Sequence, residues 1–80
     1  MTLNLTNEDI QTAIFEHCQN AMKYYELGMI LNFLCEYYKA RTYLDLWYKL
    51  GYLWEDLENY NADYLTLCER QFPKIQINKV

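Results

Sequence analysis

Turn-forming residues are scarce in this chain: its 80 residues include two glycines and one proline. Beside nine tyrosines and two tryptophans, that scarcity favours long helices with short connections. Isolated at Gly28 and Gly51, the glycines cannot build a phosphate-cradling loop, which needs several close together. Histidine occurs once, as His17. Neighbouring helical residues point about 100° apart, so His17 and Cys18 do not share a metal-ligand geometry, and a thiol nucleophile finds no second histidine to serve as base. The three cysteines (Cys18, Cys35 and Cys68) are far apart and include no CxxC pair, whereas zinc sites gather ligands at short spacings. They read as three buried thiols in a reducing compartment, with a redox or metal role as the distant alternative.

Long apolar runs and basic clusters are also missing. The most apolar window, GMILNFLCEYY, is interrupted by Asn32 and Glu36 and falls short of the roughly 20 residues that span a bilayer. TLNLTNEDIQ, after Met1, is polar and lacks a secretory core. The expectation is a cytoplasmic protein with no membrane partner. Seven lysines and arginines are scattered along the chain, so no basic face is available for a nucleic-acid backbone. Eleven acidic residues leave a formal net charge of −4, ordinary for a small soluble domain. The carboxylate pairs Glu8-Asp9 and Glu55-Asp56 read as a helix start and a solvated face. No reaction, cofactor or metal is expected.

Length allows one domain, residues 1–80, burying about 60–65% of the surface its unfolded chain exposes. Thr6 is a good N-cap, with Glu8 and Asp9 in the first turn and Leu5 and Ile10 placed as a hydrophobic staple. Ile10, Ile14, His17, Ala21, Tyr24 and Gly28 then step by threes and fours on one face of a first helix. After Gly28 the stretch MILNFLC is apolar on nearly every side, as for a helix covered by neighbours or by a partner. A second seam runs through Tyr43, Leu46, Leu50, Leu53, Leu57, Tyr60, Tyr64 and Leu67, widened by Trp47 and Trp54. Turns are expected near Cys35-Glu36 and in ENYNAD (58–63), and Pro73 is expected to end the last helix. The result is an all-α three-helix bundle, with helices at about 7–34, 37–57 and 60–72. An extended tail, 73–80, completes it. The alternative is a long two-helix hairpin that dimerises to bury its stripe.

One pattern occurs twice. YYELGMIL at 24–31 is repeated as WYKLGYLW at 47–54, 23 positions later. A glycine in a helix interior costs roughly 1 kcal/mol relative to alanine, so both glycines are read as marking close helix–helix contacts. Trp47, Leu50, Gly51 and Trp54, followed by Asn59-Tyr60, resemble the W-x-x-L-G-x-x-Y core of the tetratricopeptide repeat. Tyr24, Leu27, Gly28 and Leu31, followed by Glu36-Tyr37 and Ala40, resemble it more loosely. The likeness covers about residues 22–70, although the family's period is about 34 residues and Asp63 stands where its alanine is expected. It implies paired helices that approach closely at the glycines and a concave face that takes peptides.

Nine tyrosines and two tryptophans exceed what so small an interior encloses. The expected function is therefore a non-enzymatic interaction module, binding a protein partner or itself as a homodimer through an aromatic-rich helical face. Tyr25, Met29, Tyr48, Tyr52 and Trp54 are the expected contacts, with Lys49 and Asp56 as polar rim. The alternative is a small acidic inhibitor, of the kind mobile elements and phages encode, that blocks a nucleic-acid-handling enzyme.

Overall fold

The first helix begins where the capping pattern predicts. Thr6 Oγ1 accepts from the Asp9 N–H at 3.2 Å and Asp9 Oδ2 accepts from the Thr6 N–H at 3.1 Å, a reciprocal cap that satisfies two otherwise orphaned donors. The computed structural model describes residues 6–77, with side chains through Pro73, so Leu5 of the expected staple lies outside them. Three helices follow one another: α1 (Asn7–Glu26), α2 (Ile30–Lys49) and α3 (Asn59–Ile77), with one 3-10 turn at Trp54–Asp56 before α3. This is the expected all-α bundle, and no strand occurs among the described residues.

The turns lie elsewhere than expected, and both glycines explain why. Gly28 and Gly51 have φ of +75° and +96°, the left-handed region that only glycine enters without steric cost. The Gly28 N–H bonds to the Tyr25 carbonyl at 3.1 Å and the Met29 N–H to the Tyr24 carbonyl at 2.9 Å. The second glycine does the same: Gly51 N–H to Tyr48 at 3.0 Å, Tyr52 N–H to Trp47 at 3.3 Å. These paired bonds are the Schellman motif, which closes a helix C-terminus on a glycine. The repeated octapeptide is thus one helix stop used twice.

Neither glycine marks a close helix–helix contact, as the sequence had suggested. A Cβ at either position would meet no atom within 4 Å. The first turn is Leu27–Met29, and Glu36, placed in a turn by the sequence reading, sits inside α2. Pro73 does not end α3, which continues to Ile77; proline forfeits the bond to the carbonyl four residues back but leaves later donors free. The expected extended tail is therefore helical over 73–77, and 78–80 lie outside the described residues.

The core is built from Ile10, Ile14, Cys18 and Ala21 of α1, then Phe33, Tyr37, Ala40, Leu44 and Trp47 of α2. Leu57, Leu65 and Cys68 close it. The seam expected from Tyr43 to Leu67 is displaced by one residue on α2, where Leu44 and Trp47 face inward. Leu50, Leu53, Tyr60 and Leu67 along that seam are exposed, because the helix it presumed is interrupted at Gly51.

Replacing Gly28 or Gly51 by alanine is expected to lower the unfolding free energy by about 1–2 kcal/mol each, the cost of forcing an L-residue into the left-handed region. Asparagine should cost less at the same positions. Urea unfolding of the four variants checks this, and alanine variants as stable as wild type would refute it.

Candidate interaction surface

Where α2 turns into α3, the chain spends its aromatic side chains on itself. Tyr52 stacks on Trp47 with ring centroids 4.2 Å apart and planes at 20°. The two are the residues just beyond and three before the second helix end, the pair whose apolar contact accompanies this type of stop. Trp47 Nε1 donates to the Leu53 carbonyl at 2.9 Å, and Asp56 Oδ2 accepts from the Leu53 N–H at 2.8 Å. Leu53's backbone is fixed from both sides while its side chain points to solvent. Trp54 is half-buried against the core.

Among the expected contact residues, Tyr25 is half-buried and tilted against Phe33 at 5.5 Å. Met29, Tyr48 and Lys49 are exposed. Tyr52 and Trp54 are mostly occupied within the fold, and Asp56 is exposed but serves as a cap. The set does not converge on one face. Tyr25 and Met29 lie at one end of α2 and the other five at the opposite end, about 28 Å away at 1.5 Å per helical residue.

Aliphatic residues supply the open surface that the sequence reading attributed to rings. At the α1–α2 turn, Leu31 is 77% exposed, Leu27 65% and Met29 42%. At the other end, Leu50 and Leu53 are exposed beside Tyr48. Six of the nine tyrosines are buried or half-buried; Tyr38, Tyr48 and Tyr60 are the exposed ones. A signal for the aliphatic patch was present in MILNFLC, which is apolar on nearly every side and too near a helix stop to be covered by one neighbour.

Polar groups tie the helices together between these ends. His17 Nδ1 lies 2.8 Å from Glu36 Oε1; an ionised carboxylate only accepts, so Nδ1 carries the proton. The same carboxylate accepts from Asn20 Nδ2 at 3.4 Å and Lys39 Nζ at 3.3 Å, and the imidazole stacks on Tyr43. His17 on α1 thus pairs with a carboxylate of α2. Arg41 pairs with Glu69 and reaches the Tyr37 hydroxyl, linking α2 to α3. Gln11 Oε1 accepts from the Glu58 N–H at 2.8 Å and from Asn61 Nδ2 at 3.2 Å, anchoring the start of α3 on α1. Asn61 Oδ1 is buried there without a partner among the described residues, which costs about 1–3 kcal/mol.

Cys18 and Cys68 are buried as expected, but Cys35 is exposed. Among the described residues no three His, Cys, Asp or Glu side chains converge to hold a metal ion, and no helix is long and apolar enough to cross a membrane. Compared with protein-family models, curated proteins and solved structures, the chain matches none.

Partial burial opposes ionisation of Glu36, but the hydrogen bonds from His17, Lys39 and Asn20 outweigh it and hold its pKa below the ordinary 4.5. A carboxyl depressed in the folded state stabilises the fold above its unfolded pKa, and that contribution is lost as the pH falls through the folded value. Wild type should therefore lose more stability than Glu36→Gln between about pH 6 and about pH 3. Urea midpoints at both pH values measure the difference; identical losses would remove Glu36 from the account.

Proposed function

We propose that the chain is a non-enzymatic, cytoplasmic protein-interaction module whose docking surface is the apolar α1–α2 turn, and that its partner is a second copy of itself. The observation that carries this reading is the exposure of Leu27, Met29 and Leu31 in consecutive turns of chain. A scattered exposed leucine needs no explanation, but three large apolar side chains grouped at one end of a small bundle resemble the centre of an interface. Homodimerisation is the commonest way for soluble chains to cover such a patch. The likeness to tetratricopeptide hairpins, which bind peptides, points to the same class of role. Of the residues expected from the sequence, Met29 belongs to this surface, and Tyr25 borders it. Tyr48 and Lys49 would form a secondary contact at the far end.

A second reading has its own observation. Glu8 and Glu58 border one depression beside Gln11, Thr12 and Tyr60, and Asp9, Glu55 and Asp56 are exposed near the same end of the bundle. That acidic end suits an inhibitor that blocks a basic, nucleic-acid-handling enzyme. Such binding would weaken steeply with salt, whereas an apolar interface would not.

Analytical ultracentrifugation of wild type, Leu31→Ser and Leu27→Ser decides between them. Fully burying a leucine is worth about 1.5–3 kcal/mol, so each substitution should weaken dimerisation by roughly tenfold or more. Stability should change little, since both side chains are exposed. A wild type that stays monomeric at high concentration would refute the dimer.

A further inference from the structure

The core contains a pair of thiols that an interaction role does not use. Cys18 on α1 and Cys68 on α3 are both fully buried and both free. Cys68 Sγ donates to the Cys18 carbonyl oxygen at 3.6 Å. Ala21 and Leu65 line the same interior. The two cysteines therefore meet across the α1–α3 seam, supplied by positions 50 residues apart. Cys35 is on the outer surface of α2 and takes no part.

We propose that Cys18 and Cys68 form a latent disulfide site, at which a low-molecular-weight disulfide such as oxidised glutathione staples α3 to α1. One cysteine thiolate attacks a sulfur of the oxidant, breaking its S–S bond and expelling one glutathione thiolate. The other cysteine then attacks the protein sulfur of the mixed disulfide, forming the Cys18–Cys68 bond and expelling the second glutathione thiolate. The two protein protons end on the two leaving thiolates. Two protein thiols and one oxidised glutathione thus give one protein disulfide and two reduced glutathiones.

Either thiol can open the oxidant, since the attacking species is the thiolate. Because both sulfurs are buried, the reaction waits on α3 lifting from α1, and mild denaturant should accelerate it. Closing so long a loop restricts the unfolded chain and raises the melting temperature.

The test uses the full chain carrying Cys35→Ser, which removes the exposed competing thiol. It is incubated with oxidised glutathione with and without low urea, then digested without reduction and analysed by mass spectrometry. The expected product is a Cys18–Cys68 cross-linked peptide, with the protein melting several degrees higher and reverting on addition of dithiothreitol. Adding Cys18→Ser or Cys68→Ser should abolish the cross-link and leave glutathione on the remaining thiol. Two thiols persisting under both conditions, glutathione adducts without a cross-link, or a link only between molecules would each overturn the proposal.

Discussion

Two peptide units at positive φ hold this fold in its shape. Between Asn7 and Lys49 the sequence is almost uniformly helix-forming, and nothing in its side chains apart from Gly28 stops it. At Gly28 and again at Gly51 the backbone enters a region closed to other residues at ordinary cost. The chain is thereby divided into helices of 20, 20 and 19 residues. Near-equal lengths allow α1 and α2 to pack along one another. An uninterrupted helix of the same sequence would carry its apolar stripe beyond any neighbour able to bury it.

The same device creates the open apolar surface. In each stop the residue before glycine is a leucine, Leu27 or Leu50, and both are exposed. The glycine redirects the chain within one residue, so a side chain at the helix end is carried off the stripe that faces the core. At the second stop the fold recovers some of this loss by folding Tyr52 back onto Trp47. The connection at Leu27–Met29 is too short to return and cover itself. Leu31 follows in the first turn of α2, pointing away from both neighbours. The exposure at this end thus follows from how the turn is made.

Local chemistry was legible in the sequence wherever it was sufficient. Thr6 and Asp9 define a helix start from four residues of context, and the all-α class follows from composition and periodicity. The helix stops were visible too, as a repeated Leu-Gly, but a glycine within a helical pattern reads equally as a close-contact residue. A Schellman stop needs only one left-handed residue, and the reversal is completed by extended residues after it. Taking the second glycine as helix-interior has further consequences. Reading 47–54 as helix put Tyr52 outward, where loop geometry takes it inward onto Trp47. The continuous seam from Tyr43 to Leu67 arose because residues 50–58 preserve the spacing without being α-helix. Glu36 gave no local sign of its role, since its partners His17 and Asn20 come from another helix.

The polar ties also rank the three interfaces. α1 and α2 share the most extensive packing and the part-buried Glu36 carboxylate, whose several donors fix their register more than they add to stability. α1 and α3 meet at Gln11 near one end, at Phe15 between Tyr60 and Tyr64, and at the cysteine pair. α2 and α3 touch least, through Arg41–Glu69 and the stack of Tyr37 on Phe72. Exposed ion pairs contribute little, so α3 is held chiefly from one side. A helix with one strong neighbour opens at lower free energy than a hairpin packed along its whole length. The α1–α2 hairpin, which presents Leu27, Met29 and Leu31, is therefore the rigid part of the molecule. A docking surface on it costs little ordering when it binds, while the lifting of α3 exposes Cys68 without disturbing that surface.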